Sequence, residues 1–461
     1  MVGNAHLLIT FNIIKTMKVK RLKMQSFRGI DDLTLKFDQT VATVLIGING
    51  VGKSSILDCI AILLSLLIRE ISYAESRRVI KGGVTFQLKS RNEYEQAVPG
   101  QPDIKKRVLS KEDITNGCQK TLNEISILLE SRPSTWVIEK SNNESSEKAN
   151  YESKEFDVIA QDIYRRWNQN QKTNLPLAVY YPVNRAVIDV DLEITEANSL
   201  KQIDAYDQAL NGLRVNFNRF FQWFRSLEDL ENEERRDNLD YRNAQLEAVR
   251  QAIYSLIPGF SNLRVRRSPL RMTVKKGQEE LIVNQLSDGE KCLLAMVGDL
   301  ARRLAIANPG LSEPLQGCGV VLIDEIELHL HPKWQREIIP ALTRTFPNCQ
   351  FIVTTHSPQV ISHVKPEGIY ILEKTNEGVI AKRPESSFGR DSNRILEDLM
   401  DVPERPQEIK TSLLELFRLI DAGNLEGARQ LRQELAAEIG VDEPEFVRAD
   451  VLIRRKEILN R

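Results

Sequence analysis

The stretch "GINGVGKSS", Gly47 to Ser55, decides the fold that this sequence predicts. It matches G-x-x-x-x-G-K-[ST], the pattern of a loop that binds phosphate groups between a strand and a helix. An apolar run, "TVATVLIG", precedes it as a buried strand, and "SSILDCIAILLSLLIREI" follows as a long apolar helix. In such a loop the backbone N–H groups surround phosphate oxygens, and the helix N-terminus adds partial positive charge. The alternative is an ordinary glycine turn, which the spacing and the context disfavour.

The loop also predicts how a nucleoside triphosphate is held. Lys53 is expected to reach the β- and γ-phosphates, and Ser54 to ligate Mg²⁺. The residues that we expect to contact the phosphates or shape the loop are Asn49, Gly50, Gly52, Lys53, Ser54 and Ser55. A phosphate loop alone only holds a nucleotide. Hydrolysis also requires an acid that helps to fix the metal ion and a group that orients or deprotonates water.

A second stretch, "VVLIDEIELHLHPKW" from Val320 to Trp334, supplies both groups. Its apolar strand runs directly into two acids, and in a parallel α/β sheet the ligand site lies at the carboxyl ends of the strands. Asp324 is therefore expected to help bind Mg²⁺, and Glu325 to act as the general base. For Glu327 a structural role is the alternative, as an acid at the start of a helix.

The two histidines of the same stretch suggest a different hypothesis, a metal site. His329 and His331 form an H-x-H pair beside carboxylates in a chain with five histidines. A zinc site requires further converging ligands, and no other histidine lies near this pair in the sequence. A metal-dependent hydrolase is therefore the weaker interpretation of these residues.

Two shorter motifs gain meaning from the phosphate loop. "FIVTTHS", Phe351 to Ser357, is a buried strand with a polar end, where His356 could contact the γ-phosphate or the attacking water. "LSDGEK", Leu286 to Lys291, opens a helix that Ser287 would cap, so that the helix N-terminus is presented to an anion. Taken alone, each motif would be interpreted as structural.

Composition excludes several classes of protein. The chain has 461 residues, 63 basic and 64 acidic, and this length favours two to three domain-sized units. The near-neutral charge gives no global attraction to nucleic acid or to a membrane. Five cysteines without C-x-x-C spacing fit a reducing cytoplasm rather than a disulfide framework. The sequence contains no run of 18 apolar residues, so no transmembrane helix is expected.

Along the chain the pattern predicts an α/β fold that is divided by an insertion. The strands flanking the motifs are apolar and of the parallel type, the first strands are of the antiparallel type, and the end of the chain is helical and charged. The expected units are a disordered leader (1–16), the first part of the ATPase domain (17–189), a helical arm or lid (190–258), the second part of the ATPase domain (259–385) and a helical C-terminal domain (386–461).

The motifs together resemble the ABC-type ATPases, in particular the soluble branch that includes the SMC-like and OLD-like proteins. Walker A is "GINGVGKS", the signature motif is "LSDGEK", Walker B is "VVLIDE", and His356 is the switch histidine. The resemblance implies a P-loop NTPase fold of ABC type, with a mixed sheet, an antiparallel β-subdomain, an inserted helical arm and a C-terminal helical cap. It also implies that Ser287 and Gly289 reach the γ-phosphate bound by a second copy, in a homodimer or a higher homo-oligomer.

The same family places a glutamine after the first helix, where it senses Mg²⁺ and water. The resemblance makes Gln87, in "GGVTFQLKS", the candidate for this role, with Gln96 and Gln119 as alternatives. In this family the loop that contains His329 and His331 runs along the dimer interface.

A narrower resemblance is to the bacterial ATPases called predicted ATP-binding proteins involved in virulence, and to PtuA, the ATPase of Septu and some retron antiphage systems. It rests on "LPLAVYYPVNRA", "DEIELHLHPKWQREIIPAL", "TTHSPQVI" and "GRDSNRILEDLMDVPERP". It implies an HNH nuclease partner, whose activity ATP governs, and contact with DNA or RNA through the complex. The sequence of this chain shows no nuclease motif of its own. Its C-terminal helices could be a packed cap, or a surface for partner docking or oligomerisation.

Two other functions are weighed against this one. A DNA-repair ATPase of SMC/RecF-like type would bind DNA directly, and the basic run from Ser261 to Gly277 could provide the contact, although a solvated hairpin is the simpler interpretation. A transporter motor would dock on separate membrane subunits, and the long charged insertion argues against it.

Overall fold

A computed structural model describes residues 16–38, 40–73, 103–104, 107–143, 148–150, 154–185, 201–376 and 378–459. The chain folds into two compact units, Met1–Arg390 and Asp391–Arg461. The leader expected at 1–16 lies almost wholly outside the described residues, as do Gln87 and Gln96.

The strands of the described residues are β1 (Met17–Phe27), β2 (Ile30–Lys36), β3 (Thr43–Gly47), β4 (Lys120–Leu129), β5 (Arg132–Ser141), β6 (Lys148–Asn150), β7 (Leu177–Tyr181), β8 (Phe260–Arg267), β9 (Leu270–Lys276), β10 (Glu279–Ile282), β11 (Gly319–Ile323), β12 (Cys349–Thr354), β13 (Ile369–Thr375) and β14 (Gly378–Lys382). The α-helices are α1 (Lys53–Tyr73), α2 (Lys154–Gln169), α3 (Phe217–Glu234), α4 (Ala244–Leu256), α5 (Asp288–Ala307), α6 (Pro332–Thr345), α7 (Pro358–Ile361), α8 (Ser392–Met400), α9 (Gln407–Asp421), α10 (Leu425–Ile439) and α11 (Pro444–Leu459).

The central sheet has the strand order β14-β13-β3-β12-β11-β7. Its strands from β13 to β7 are parallel, and β14 pairs antiparallel with β13. Strands β7, β11 and β12 are buried along their whole length, as expected for parallel strands covered on both faces. The carboxyl ends of β3, β11 and β12 therefore meet at one edge, where the ligand site of such a sheet lies.

A second, antiparallel sheet has the order β2-β1-β4-β5-β6. Helix α1 lies between it and the central sheet, which explains why this helix is apolar on nearly every side. The indole Nε1 of Trp136 on β5 donates to the Leu63 carbonyl in α1 at 3.1 Å. Together with the helical end of the chain, these sheets confirm the predicted fold class, a mixed P-loop sheet with an antiparallel β-subdomain.

Helices α3 and α4 come from the segment predicted as an arm or lid, and they lie on α5. Aromatic side chains at helical spacing (Phe217, Phe220, Phe221 and Phe224) form the buried face of α3. Gly298 of α5 makes room for them, because a β-carbon there would lie 2.9 Å from the Phe220 ring. The small sheet β10-β9-β8 follows α4.

The second unit is built from α8 to α11. Leu416, Ile420, Phe446 and Ile453 are among the buried residues of its core, contributed by α9 and α11. The pair α9 and α10 is joined by a tight turn at Gly423, whose φ of +79° lies in the region that glycine tolerates. The helical hairpin predicted from the apolar spacing around "DAGN" is therefore present.

Candidate active site

The phosphate loop connects β3 to α1 at the carboxyl edge of the central sheet. Gly50 and Gly52 have φ values of +78° and +108°, a conformation that side chains rarely adopt. At Gly52 space is limiting as well, since a β-carbon would lie 2.9 Å from the Ile30 side chain. Asn49 and Ser54 are exposed on the loop and on the first turn of α1. The loop thus has the tight, glycine-dependent conformation that its sequence pattern predicts.

Lys53 is buried at the base of this loop. Its Nζ donates to the carbonyls of Gly47 at 2.8 Å and Ile48 at 3.0 Å, both in the same loop. Burial lowers the pKa of the Lys53 ammonium group, and the carboxylates of Asp324, Glu325 and Glu327 oppose that effect. The lysine therefore lies in the field of the three acids, although they are far away in the sequence.

Asp324 and Glu325 follow β11 directly and are fixed by one hydroxyl group. Thr354, at the end of β12, donates from Oγ1 to the Asp324 carboxylate at 2.5 Å. The same Oγ1 accepts the Glu325 backbone N–H at 2.7 Å. Asp324 is buried, whereas Glu325 is partly exposed and has a φ of +47°. The backbone thus turns sharply between the two acids, and their side chains have different environments.

The sequence interpretation missed Arg185, which lies just beyond β7. This arginine is only 2% exposed, and its guanidinium donates to the main-chain carbonyls of Asp324 and Glu325, the latter at 2.6 Å. Strand β7 pairs in parallel with β11, so its carboxyl end lies at the same edge of the sheet. A basic residue shortly after a buried strand, in "YYPVNRA", was the available signal.

The alternative interpretation of Glu327, an acid at the start of a helix, does not match the structure. Helix α6 begins at Pro332 with His331 as its N-cap, because proline is favoured in the first turn. Glu327 instead accepts a hydrogen bond from the Thr355 hydroxyl at 2.7 Å and one from the His356 backbone N–H at 2.5 Å. Its carboxylate therefore joins the turn after β11 to the residue predicted to sense the γ-phosphate.

The motif at the start of α5 has the predicted cap. Ser287 and Glu290 form a reciprocal capping box, and Lys276 forms an ion pair with Glu290 at 2.7 Å. Ser287 is exposed, whereas Gly289 is buried against the main chain of His329. The signature helix therefore lies on the loop that follows the two acids in the same chain.

The H-x-H pair has no metal-site geometry. The Nδ1 of His331 accepts the Lys333 backbone N–H at 3.2 Å, as part of the helix cap, and His329 is exposed. Among the residues that the structure describes, no cluster of three or more histidine, cysteine or acidic side chains could hold a metal ion. Of the three glutamine candidates only Gln119 is described, and it is exposed next to β4.

The basic run from Ser261 to Gly277 forms the β8–β9 hairpin, and three of its arginines have acidic partners. Arg264 and Arg266 each form an ion pair with Glu280 at 2.9 Å. Arg267 pairs with Glu228 at 2.6 Å. These ion pairs favour the structural interpretation of the run over a surface that attracts DNA.

No helix in the described parts of the chain is long and apolar enough to cross a membrane.

The nucleotide-binding motifs all lie between residues 42 and 362, which match the model of a family described as "AAA domain, putative AbiEii toxin, Type IV TA system".

The curated relatives of this chain include proteins named as ATPases and as a Septu protein. The "Retron Ec83 probable ATPase" of Escherichia coli is 30% identical over 95% of this chain and 87% of its own length. The "Retron Vc95 probable ATPase" of Vibrio cholerae is 29% identical over 87% of this chain and 82% of its own length. "Septu protein PtuA" of Bacillus thuringiensis is 26% identical over 35% of this chain and 43% of its own length. The chain therefore belongs to this AAA-domain family and is an ATPase related to the retron ATPases.

Proposed function

We propose that this chain is the ATP-hydrolysing subunit of a bacterial antiphage defence complex. Two copies close around ATP, and the cycle of closure and hydrolysis governs a partner nuclease of the HNH type. The observation that carries the proposal is that Lys53, Asp324 and Glu325 follow strands whose carboxyl ends lie at one edge of a parallel sheet. The chain is also related to retron and Septu proteins.

The residues at the sheet edge fit a nucleotide with its metal ion. The oxygen ligands that Mg²⁺ prefers are provided by the exposed hydroxyl of Ser54 and the carboxylate of Asp324. When bound, Mg²⁺ would neutralise charge on the phosphate oxygens. Lys53 would exchange its two loop carbonyls for phosphate oxygens, which are stronger acceptors.

Glu325 is the proposed general base. Its carboxylate is partly exposed beside the phosphate loop, where it can take a proton from the attacking water. His356 would contact the γ-phosphate, since its position is fixed through its N–H by Glu327. Charge that develops on the phosphoryl oxygens would be stabilised by Lys53 and by helix N-termini.

Closure would require a second copy because the α5 N-terminus must reach a phosphate group. In one chain this helix end lies on the His329 loop and presents Ser287 to solvent. An exposed, capped helix N-terminus is suited to an anion. We therefore assign Ser287 and Gly289 to the γ-phosphate bound by the other copy, so that hydrolysis removes the bridge between the copies.

Co-expression with an HNH nuclease encoded beside this chain tests the proposal. The complex is purified with the parent chain or with Lys53→Ala, and cleavage of plasmid DNA is measured with and without ATP. We expect co-purification in both cases, and a response of cleavage to ATP that is lost in the Lys53→Ala complex. The proposal fails if the nuclease does not associate, or if cleavage by the two complexes responds equally to ATP.

A further inference from the structure

Arg185 has an unusual set of contacts for a buried arginine. Its guanidinium donates to three main-chain carbonyl oxygens, those of Pro182 at 3.2 Å, Asp324, and Glu325 at 2.6 Å. A buried cation is costly unless hydrogen bonds and opposite charges compensate it. Burial lowers the pKa of Arg185, and the carboxylates of Asp324, Glu327 and Glu325 oppose that effect. This arginine is thus tied electrostatically to the acids and geometrically to their backbone.

The backbone at Glu325 requires such support. Its φ of +47° lies in the left-handed region, which is unfavourable for a residue with a β-carbon. The turn directs the carbonyls of Asp324 and Glu325 to the same guanidinium. Two carbonyl dipoles converge there, and without the guanidinium they would repel each other. The Glu325 carbonyl also accepts the Leu328 backbone N–H at 2.9 Å, so the Asp324 carbonyl is the one that depends more on Arg185. The planar guanidinium satisfies both at once, which the single ammonium of a lysine cannot do with the same geometry.

We propose that Arg185 is a positioning residue for ATP hydrolysis, which holds the Asp324–Glu325 turn so that the Glu325 carboxylate remains directed at the nucleotide. The proposal rests on the role of Glu325 as general base. Arg185 would act through Glu325 and would not touch the nucleotide.

The same guanidinium lies near the signature helix. Burial raises the pKa of the Cys292 thiol on α5, and the nearby Arg185 opposes that effect. Arg185 therefore contacts the turn that carries the proposed base and lies close to the helix whose N-terminus is assigned to the second copy. A shift of α5 on closure would change the position of the Glu325 carbonyl through this one side chain.

Arg185→Lys is the informative variant, because it keeps the positive charge but loses the planar guanidinium that donates to both carbonyls. Phosphate release at saturating ATP and equilibrium binding of labelled ATP are measured for the full chain. We expect turnover to fall at least about tenfold, because a misdirected base loses part of the roughly 10²- to 10⁴-fold that general-base catalysis contributes. The Kd for ATP should remain within about threefold, because a positioning residue of this kind acts on kcat rather than on binding. Arg185→Met, which removes the charge, should lose more turnover.

Arg214→Lys is the matched control. Arg214 is exposed and donates to the side chain of Asn184, beside Arg185. This substitution should leave turnover unchanged. If turnover falls as much in Arg214→Lys as in Arg185→Lys, the loss is not specific to Arg185, and the positioning role is overturned.

A double-mutant cycle with Glu325→Gln separates positioning from stability. If Arg185 acts through Glu325, adding Arg185→Lys to Glu325→Gln should change the residual turnover by less than about twofold. Equal factors in both backgrounds would overturn the proposal, and so would parent-like turnover in Arg185→Lys or loss of ATP binding in that variant. Full turnover in Glu325→Gln would instead refute the base assignment, which distinguishes the two failures.

Discussion

A β-carbon on Gly289 would lie 2.3 Å from the main-chain carbonyl oxygen of His329. This distance is too short for any side chain, and the atom in the way is backbone, which cannot rotate aside. The φ of Gly289 is not in the left-handed region, so the glycine is required for space and not for conformation. The helix that begins with the signature motif is therefore in direct contact with the loop that begins at Asp324 and Glu325.

Gly289→Ala should force the two elements apart. A displacement of about 1 Å near a catalytic group can cost on the order of 100-fold in rate, so we expect turnover to fall roughly 10- to 100-fold. ATP binding to the phosphate loop should change little, because Lys53 is on another element. Phosphate release and binding of labelled ATP provide the measurements. Parent turnover in Gly289→Ala would show that the contact is not needed for hydrolysis.

Lys53→Ala should abolish nucleotide binding. The ammonium group already has two oxygen acceptors at 2.8 and 3.0 Å, and phosphate oxygens would replace them. Loss of charge-assisted hydrogen bonds of about 1.5–3 kcal/mol each should raise the Kd for ATP at least about 100-fold. Equilibrium titration with labelled ATP measures it, and the exposed Lys365→Ala serves as the control. Tight binding by Lys53→Ala would refute the phosphate-loop assignment.

Glu325→Gln should keep ATP binding and trap a closed dimer. The amide has nearly the shape of the carboxylate but cannot take a proton from water, so the γ-phosphate would remain between the two copies. Sizing by light scattering should show a doubled mass that depends on ATP, while the parent dimer dissociates as hydrolysis proceeds. Unchanged turnover in this variant would refute Glu325 as the base, and an unchanged mass would refute closure.

Glu327→Gln tests the link between the acids and the switch histidine. The carboxylate accepts from the Thr355 hydroxyl and the His356 N–H, but an amide offers one acceptor oxygen and places a donor at the other position. We expect a destabilisation of about 1–3 kcal/mol and reduced turnover with ATP binding retained. Glu337→Gln, exposed on α6, is the matched control. Equal activity and stability in the two variants would contradict the proposed link.

The sequence was sufficient for the phosphate loop because the conformation there is local. Gly50 and Gly52 adopt positive φ within the loop itself, and the strand and helix on either side have unambiguous patterns. The position of Asp324 at the same sheet edge as Lys53 was predictable for a different reason. Parallel strands bring their carboxyl ends to one edge whatever the sequence between them is.

The supporting contacts depend on pairings that no local pattern specifies. Arg185 donates to the Asp324 carbonyl, which is 139 residues away in the sequence. The Thr354 hydroxyl forms hydrogen bonds with both Asp324 and Glu325 only because β12 lies beside β11. The alternative at Glu327 could have been rejected from the sequence, because His331 as N-cap and Pro332 in the first turn already marked a later start for α6. Of the glutamine candidates, Gln87 lies outside the described residues and its role stays a prediction.

The buried carboxylate of Asp299 on α5 makes the stability of the fold depend on pH. Burial raises its pKa, but Arg303 and Arg302, each at 2.7 Å, outweigh burial and hold the pKa at about 2, below its usual value of 3.8. The Tyr181 hydroxyl donates to the same carboxylate at 3.0 Å. A depressed pKa means that the ionised group stabilises the fold above pH 3.8, and that this contribution is lost as the pH falls towards 2.

Asp299→Asn should therefore be less stable than the parent at neutral pH, by on the order of 2 kcal/mol, as expected from the size of the shift. The difference in urea midpoint between parent and variant should shrink as the pH is lowered from about 5 towards 2, because the parent carboxyl becomes protonated in that window. Glu313→Gln, an exposed acid for comparison, should stay close to the parent throughout. A difference for Asp299→Asn that is independent of pH would mean that packing, rather than the ionised network with Arg302 and Arg303, accounts for the loss.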